Sequence, residues 1–233
     1  MKILIIGPSW VGDMVMSQSL YKVIKQQHPN CTIDVIAPGW CKPILERMPE
    51  INQAIDMPIG HGELNLLGRR EIGKSLREKQ YDHAYILPKS AKSALIPWFA
   101  NIPLRTGWKG EMRFGLLNDL RPNMKSFQYM VERYVALAYP QAEMKDSSSL
   151  GGLETLPRPS LFIDKKEQGA TIAKFNLNQE SPVVGLWFAN IPLRTGWNAL
   201  GFGRTLKYAQ IWLSAFSIWL PLPMSPLPTL KPR

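Results

Sequence analysis

Along residues 1–185, short apolar runs alternate with amphipathic stretches, the pattern of a parallel sheet covered by helices. Residues 2–7 read as a buried strand, and the loop at 8–12 turns into a helix beginning near Asp13. In that helix Met16, Leu20, Val23 and Ile24 stand at i, i+4, i+7 and i+8, which makes one apolar face. His28-Pro29-Asn30 ends it, and residues 32–37 form a second strand closed by Pro38-Gly39. A short helix around 44–48 and a third strand near 53–57 follow. Past a glycine-containing loop at 58–62 comes a polar helix around 69–79, then a fourth strand at 83–87 with its exit loop at 88–93. Ser126 suits the N-cap of a helix that gathers Phe127, Met130, Val131, Tyr134, Val135 and Ala138 on one face.

This pattern places an α/β, Rossmann-like domain at 1–150. Residues 141–160, rich in Ser, Gly and Pro, have the composition of a linker. A strand at 161–163, a helix around 165–175 and a run at 182–185 would open a second α/β domain, so 151–185 reads as linker and domain start. That domain does not develop. Residues 187–197 read Trp-Phe-Ala-Asn-Ile-Pro-Leu-Arg-Thr-Gly-Trp, identical to residues 98–108. Structural repeats keep a pattern over a long period and drift in sequence, unlike eleven unchanged residues with dissimilar flanks. The stretch after the copy has no carboxylate, five prolines and no sustained period. Residues 186–233 therefore read as an aberrant tail, from a gene rearranged at the repeat and translated out of frame, or else as a divergent C-terminus.

The chain of 233 residues carries a formal charge of +10, which raises nucleic acid as a partner. Four of the basic residues, Arg204, Lys207, Lys231 and Arg233, lie in the carboxylate-free tail, and no basic run or RNA-binding signature accompanies the rest. A phosphorylated substrate or a lipid headgroup fits the charge better than nucleic acid. Cys31 and Cys41 make neither a disulfide framework nor a metal pattern. The apolar run at 3–6 is shorter than the about 7–15 residues of a secretory leader, and 211–220 falls short of the about 20 that span a bilayer. A cytoplasmic protein is expected.

The first loop, Gly7-Pro8-Ser9-Trp10-Val11-Gly12-Asp13, occupies the place where doubly wound sheets bind ligands. It lacks the dinucleotide fingerprint, and Asp13 stands where a phosphate-binding loop carries lysine. A carboxylate there repels a polyphosphate but can accept a proton from a sugar hydroxyl. On spacing alone Asp13 better suits capping the helix, a role that can coexist with the first, although the dipole that favours a carboxylate there also weakens it as a base. A second cluster, Lys89, Ser90, Lys92 and Ser93 with Arg105, Trp108, Lys109 and Arg113, offers cations and an aromatic wall for an anionic sugar, or is simply a solvated basic face. His61 in Gly60-His61-Gly62 is either a third site residue or a surface histidine.

Taken together, the segments Met1 to Asp13 (MKILIIGPSWVGD), Ala37-Pro38-Gly39-Trp40-Cys41, Pro58-Ile59-Gly60-His61-Gly62 and Arg105-Thr106-Gly107-Trp108-Lys109-Gly110-Glu111 resemble the ADP-heptose:lipopolysaccharide heptosyltransferases, over residues 1–185. The resemblance implies a GT-B architecture of two Rossmann-like domains, with the acceptor domain intact here and the donor domain largely missing. It implies metal-independent, inverting transfer of L-glycero-D-manno-heptose from ADP-heptose to the first heptose of the lipid A–Kdo inner core, without a cofactor. Asp13 matches the family's general base. Ser9, Trp10 and Gly12 would shape the acceptor pocket, with His61, Lys89, Ser90, Lys92, Arg105, Trp108, Lys109 and Arg113 meeting the anionic core sugars. The partners implied are the inner-core acceptor, ADP-heptose and, peripherally, the inner face of the inner membrane. Two departures stand out: Lys89 replaces an expected Asn, and the copied peptide occupies the place of the donor segment after Val183-Val184-Gly185.

Overall fold

A computed structural model describes residues 1–60 and 62–177; the copied peptide and the rest of the tail lie outside them. The chain divides into two compact units, Met1–Gln168 and Gly169–Arg233. The first is built on a six-stranded sheet with every pairing parallel: β1 (Lys2–Ile6), β2 (Thr32–Ala37), β3 (Gln53–Asp56), β4 (His83–Ile86), β5 (Leu104–Trp108) and β6 (Asp119–Arg121). The strand order β3-β2-β1-β4-β5-β6 reverses direction at β1, so a crevice opens between the exits of β1 and β4.

The inner strands are continuous apolar runs because both faces are covered. Ile3, Ile5, Ile33, Val35 and Tyr85 point to one face, where they meet Leu20, Tyr21 and Ile24 of α1 (Val11–Gln27) and Tyr134 of α5 (Met130–Val135). Leu4, Ile6, Ile36, Ala84 and Ile86 point to the other, where Leu76 follows α3 (Leu66–Ser75) and Ile96 belongs to α4 (Leu95–Phe99). A short α2 (Lys42–Leu45) links β2 to β3.

Several expectations are corrected. The helix placed at Ser126 starts at Met130, where the Glu132 carboxylate accepts the Tyr129 N–H at 2.9 Å; residues 124–126 form only a tight turn. The polar helix ends at Ser75, with one tighter turn over residues 76–79. Residues 161–163 are not a strand, although the helix after them is present as α6 (Lys165–Lys174). The segment expected to be a linker is fastened to the first unit. The buried Gln18 amide accepts from Ser160 N at 2.7 Å and donates to Ser160 O at 2.9 Å, and Lys22 donates to Arg158 O. Phe162 N donates to Arg47 O at 2.7 Å.

Candidate functional site

The carboxyl ends of the strands carry the chemistry. Gly7, just past β1, donates its N–H to Ile36 O at 2.8 Å. A side chain at this position would lie 2.8 Å from Met14 Cε and 3.2 Å from Ile36 O, so glycine lets α1 start tight against β2. The helix begins at Val11, two residues before the expected start, with Trp10 as the residue preceding it. Asp13 therefore sits in the first turn rather than at the cap, and nothing caps the helix through a side chain. Its carboxylate is half-buried and has no hydrogen-bond or ion-pair partner among the described residues. Burial raises its pKa above the ordinary aspartate value, making it a stronger base, opposite to the effect expected of the dipole. Tyr134, buried on α5, lies close enough to feel its charge.

Two exposed indoles flank this turn. Trp10 is 71% exposed and Trp40, after β2, is 59% exposed; the Trp40 Nε1–H donates to Ser9 O at 2.9 Å and ties the two exit loops together. Gly12 has open space where a side chain would stand. On the other side of β1, the exit of β4 presents exposed Lys89 and half-buried Ser90 and Lys92. The loop after β5 lies across it: Glu111 N donates to Lys89 O at 3.1 Å and the Glu111 carboxylate accepts from Ala91 N at 2.9 Å. A side chain at Gly110 would strike the Lys89 carbonyl, and Lys109 beside it is exposed. Ser9, Trp10, Gly12, Asp13, Lys89, Ser90, Lys92 and Lys109 thus belong to one edge of the sheet, on the exits of three consecutive strands about 5 Å apart.

Three residues of the expected site do not face it. Trp108 is 2% exposed; its ring packs on Phe127 at 5.5 Å and its Nε1–H donates to Arg133 O at 2.8 Å, so it is core and not an aromatic wall. Arg113 is 1% exposed, with Nη1 donating to Pro88 O at 2.7 Å and Nη2 to Trp108 O, while Nε has no partner among the described residues. Burial holds its pKa down to about 10 against the pull of Glu111. This guanidinium is an internal staple between the exits of β4 and β5. Arg105, second in β5, lies toward the opposite, amino edge and donates to Leu116 O and Ile102 O. It lines a separate cleft with Arg77 and Trp98. His61 lies outside the described residues.

The sequence reading left Trp40, Glu111 and Tyr134 out of the site. Trp40 had a signal, an aromatic residue directly after a strand-closing Pro-Gly; the other two depend on long-range packing that no local pattern carries. Among the described residues no cluster of three or more His, Cys, Asp or Glu could hold a metal ion, and no helix is long and apolar enough to cross a membrane.

The model for glycosyltransferase family 9 (heptosyltransferase) matches residues 69–196. The chain is 54% identical over 186 residues to lipopolysaccharide heptosyltransferase 2 of Escherichia coli K12, covering 79% of this chain and 53% of that protein. It is 53% identical over 189 residues to lipooligosaccharide heptosyltransferase 2 of Haemophilus influenzae, with the same coverage. The solved structure of the E. coli ADP-heptose lps heptosyltransferase II superposes with a TM-score of 0.68 at 53% identity, over 78% of this chain and 53% of that one. The chain thus spans about half the length of the curated relatives it matches. With an unpartnered aspartate at the mouth of a parallel sheet and this extent of identity, the chain belongs to glycosyltransferase family 9, the heptosyltransferases.

Proposed function

We propose that this chain is a heptosyltransferase that adds heptose to the lipopolysaccharide inner core, with the described sheet as its acceptor side and Asp13 as its general base. The observation that carries the reading is the Asp13 carboxylate: half-buried, without a hydrogen-bond or ion-pair partner among the described residues, and raised in pKa at the mouth between the β1 and β4 exits. A carboxylate bound up in ion pairs would be too weak a base; one left free and partly desolvated is poised to take a proton. In the proposed reaction, a hydroxyl of the acceptor's first heptose gives its proton to Asp13 as its oxygen attacks the anomeric carbon of ADP-heptose. The bond from that carbon to the diphosphate breaks on the opposite face, ADP departs, and the configuration inverts with no metal cofactor. Lys89, Lys92 and Lys109 pair with the anionic groups of the core, while Trp10 and Trp40 wall the sugar.

A second reading follows from the chain's coverage of about half of its relatives: an acceptor-binding module without catalysis. Two measurements separate them. Calorimetric titration with delipidated inner-core oligosaccharide reports acceptor binding, and incubation with ADP-heptose and the lipid A–Kdo–heptose acceptor reports transfer by mass. The first reading expects both, with Asp13→Asn slowing transfer about 100-fold or more while binding persists. Binding without transfer establishes the module; Asp13→Asn turning over at the unsubstituted rate removes Asp13 as base; absence of binding sinks both.

A further inference from the structure

A second cleft lies at the amino edge of the sheet, at the opposite ends of the strands from Asp13. The segments that lead into β4 and β5 form it, the tight turn at 76–79 and residues 98–103, and it measures about 450 Å³. That volume falls within the about 300–1,000 Å³ typical of small-molecule sites. Asn101, in the left-handed region at φ +57°, turns the chain between α4 and β5, so that Trp98 and Arg105 line the same hollow.

Two cations share the cleft. Arg77 donates from Nε to Phe99 O at 2.8 Å; Arg105 donates from Nε to Leu116 O at 2.6 Å and from Nη1 to Ile102 O at 2.5 Å. These bonds to backbone carbonyls fix both guanidiniums. They leave both Nη groups of Arg77 and the Nη2 group of Arg105 without a partner among the described residues. Among those residues no carboxylate lines the cleft, and burial lowers the Arg105 pKa, so the positive charge is partly desolvated and uncompensated. Beside the cations stands Trp98, 43% exposed. Phe99 meets its ring at 4.9 Å and 66°, an edge contact that sets the indole without stacking on it.

Two fixed guanidiniums from separate elements offer donors to more than two oxygens. That suits the dianionic, three-oxygen end of a phosphomonoester better than a carboxylate. An exposed indole suits a flat ring. We propose that the amino-edge cleft binds a phosphomonoester that carries a planar ring, of mononucleotide size, with its phosphate on Arg77 and Arg105 and its ring on Trp98. The site is separate from the mouth at Asp13 and requires neither acceptor binding nor heptose transfer.

The test is calorimetric titration of the full chain with three probes: AMP, ribose 5-phosphate and adenosine. AMP is expected to bind about tenfold or more tighter than either of the others, because each lacks one of the two contacts, and to weaken with salt. Arg77→Gln is expected to weaken AMP about tenfold or more and to leave adenosine unchanged; Trp98→Leu should weaken AMP and leave ribose 5-phosphate unchanged. Both residues are exposed, so the unfolding midpoints stay close to the parent's, which separates a lost contact from a lost fold. Saturating inner-core oligosaccharide should leave the AMP isotherm unaltered. Four outcomes overturn the proposal: no AMP binding, ribose 5-phosphate or adenosine binding as tightly as AMP, AMP affinity indifferent to both substitutions, or competition between AMP and the oligosaccharide. The last would put AMP at the carboxyl edge. Loss of heptose transfer with AMP binding intact would count against the proposed function and leave this inference standing.

Discussion

Replacing Arg113 by Met tests whether this residue is a staple or a substrate contact. The side chain is 1% exposed and its guanidinium donates to two carbonyls, Pro88 O and Trp108 O. Methionine keeps the length and apolar stem, so the main loss is the donor to the buried Trp108 O, while Pro88 O keeps the Ser93 hydroxyl at 3.2 Å. An orphaned buried acceptor costs about 1–3 kcal/mol and the second lost hydrogen bond about 0.5–1.5 kcal/mol, giving about 1.5–4.5 kcal/mol together. Removing the cation returns part of that, because its charge is desolvated and its Nε is already unpartnered. A net destabilisation of about 2–3 kcal/mol is expected. Urea unfolding followed by tryptophan fluorescence reads it as a lower midpoint at unchanged slope. Arg113→Lys should recover only part, since one ammonium on a flexible stem replaces a planar fork. An unchanged midpoint together with weakened binding of inner-core oligosaccharide would refute the reasoning and return Arg113 to the acceptor pocket.

Two further outcomes are expected. Trp108→Phe removes the hydrogen bond to Arg133 O but keeps the packing on Phe127; it should cost about 1–2 kcal/mol in the same unfolding assay and leave oligosaccharide affinity unchanged. Burial lowers the His83 pKa from 6.5 to about 4, so the unfolded chain binds the extra proton first as pH falls. Stability from this residue is complete above about pH 6.5 and is lost progressively towards pH 4, by about 3 kcal/mol at most. His83→Gln should flatten that limb in a pH series of thermal midpoints; an unaltered slope would show that the histidine titrates normally.

β1 and β2 were legible because an interior parallel strand is a short run of Ile, Leu and Val, and β3 and β4 because short apolar-centred runs stand there between loop and helix signals. β5 and β6 were not, and the reason is specific. Leu-Arg-Thr-Gly-Trp and Asp-Leu-Arg carry polar residues whose partners lie on neighbouring strands. The Thr106 hydroxyl accepts from His83 Nε2–H of β4 at 2.8 Å and donates its proton to Asp119 of β6 at 2.8 Å, and Arg121 pairs with Asp119. Each polar group is satisfied only once the strands are side by side, so a local window sees a loop. The same blindness affected the site. Trp108 and Arg113 looked like surface chemistry because indole and guanidinium are the usual tools for sugars and anions. Their partners, Arg133 O and Pro88 O, are 25 residues away and are carbonyls, which every sequence has. Asp13 could be placed on its turn from the sequence, but its lack of a partner could not.

The polar ladder on β5 and β6 also bears on self-association. A sheet ends in strands whose outer N–H and C=O groups invite another chain to add on. Here β6 is only three residues long and carries an Arg–Asp pair, while at the other end β3 has Gln53, met by the Lys79 ammonium, and Asp56. Charge and brevity at both margins leave an incoming strand little length to pair with and burden it with charges to desolvate. Concentrating the protein for binding studies should therefore not drive edge-to-edge polymerisation of this sheet.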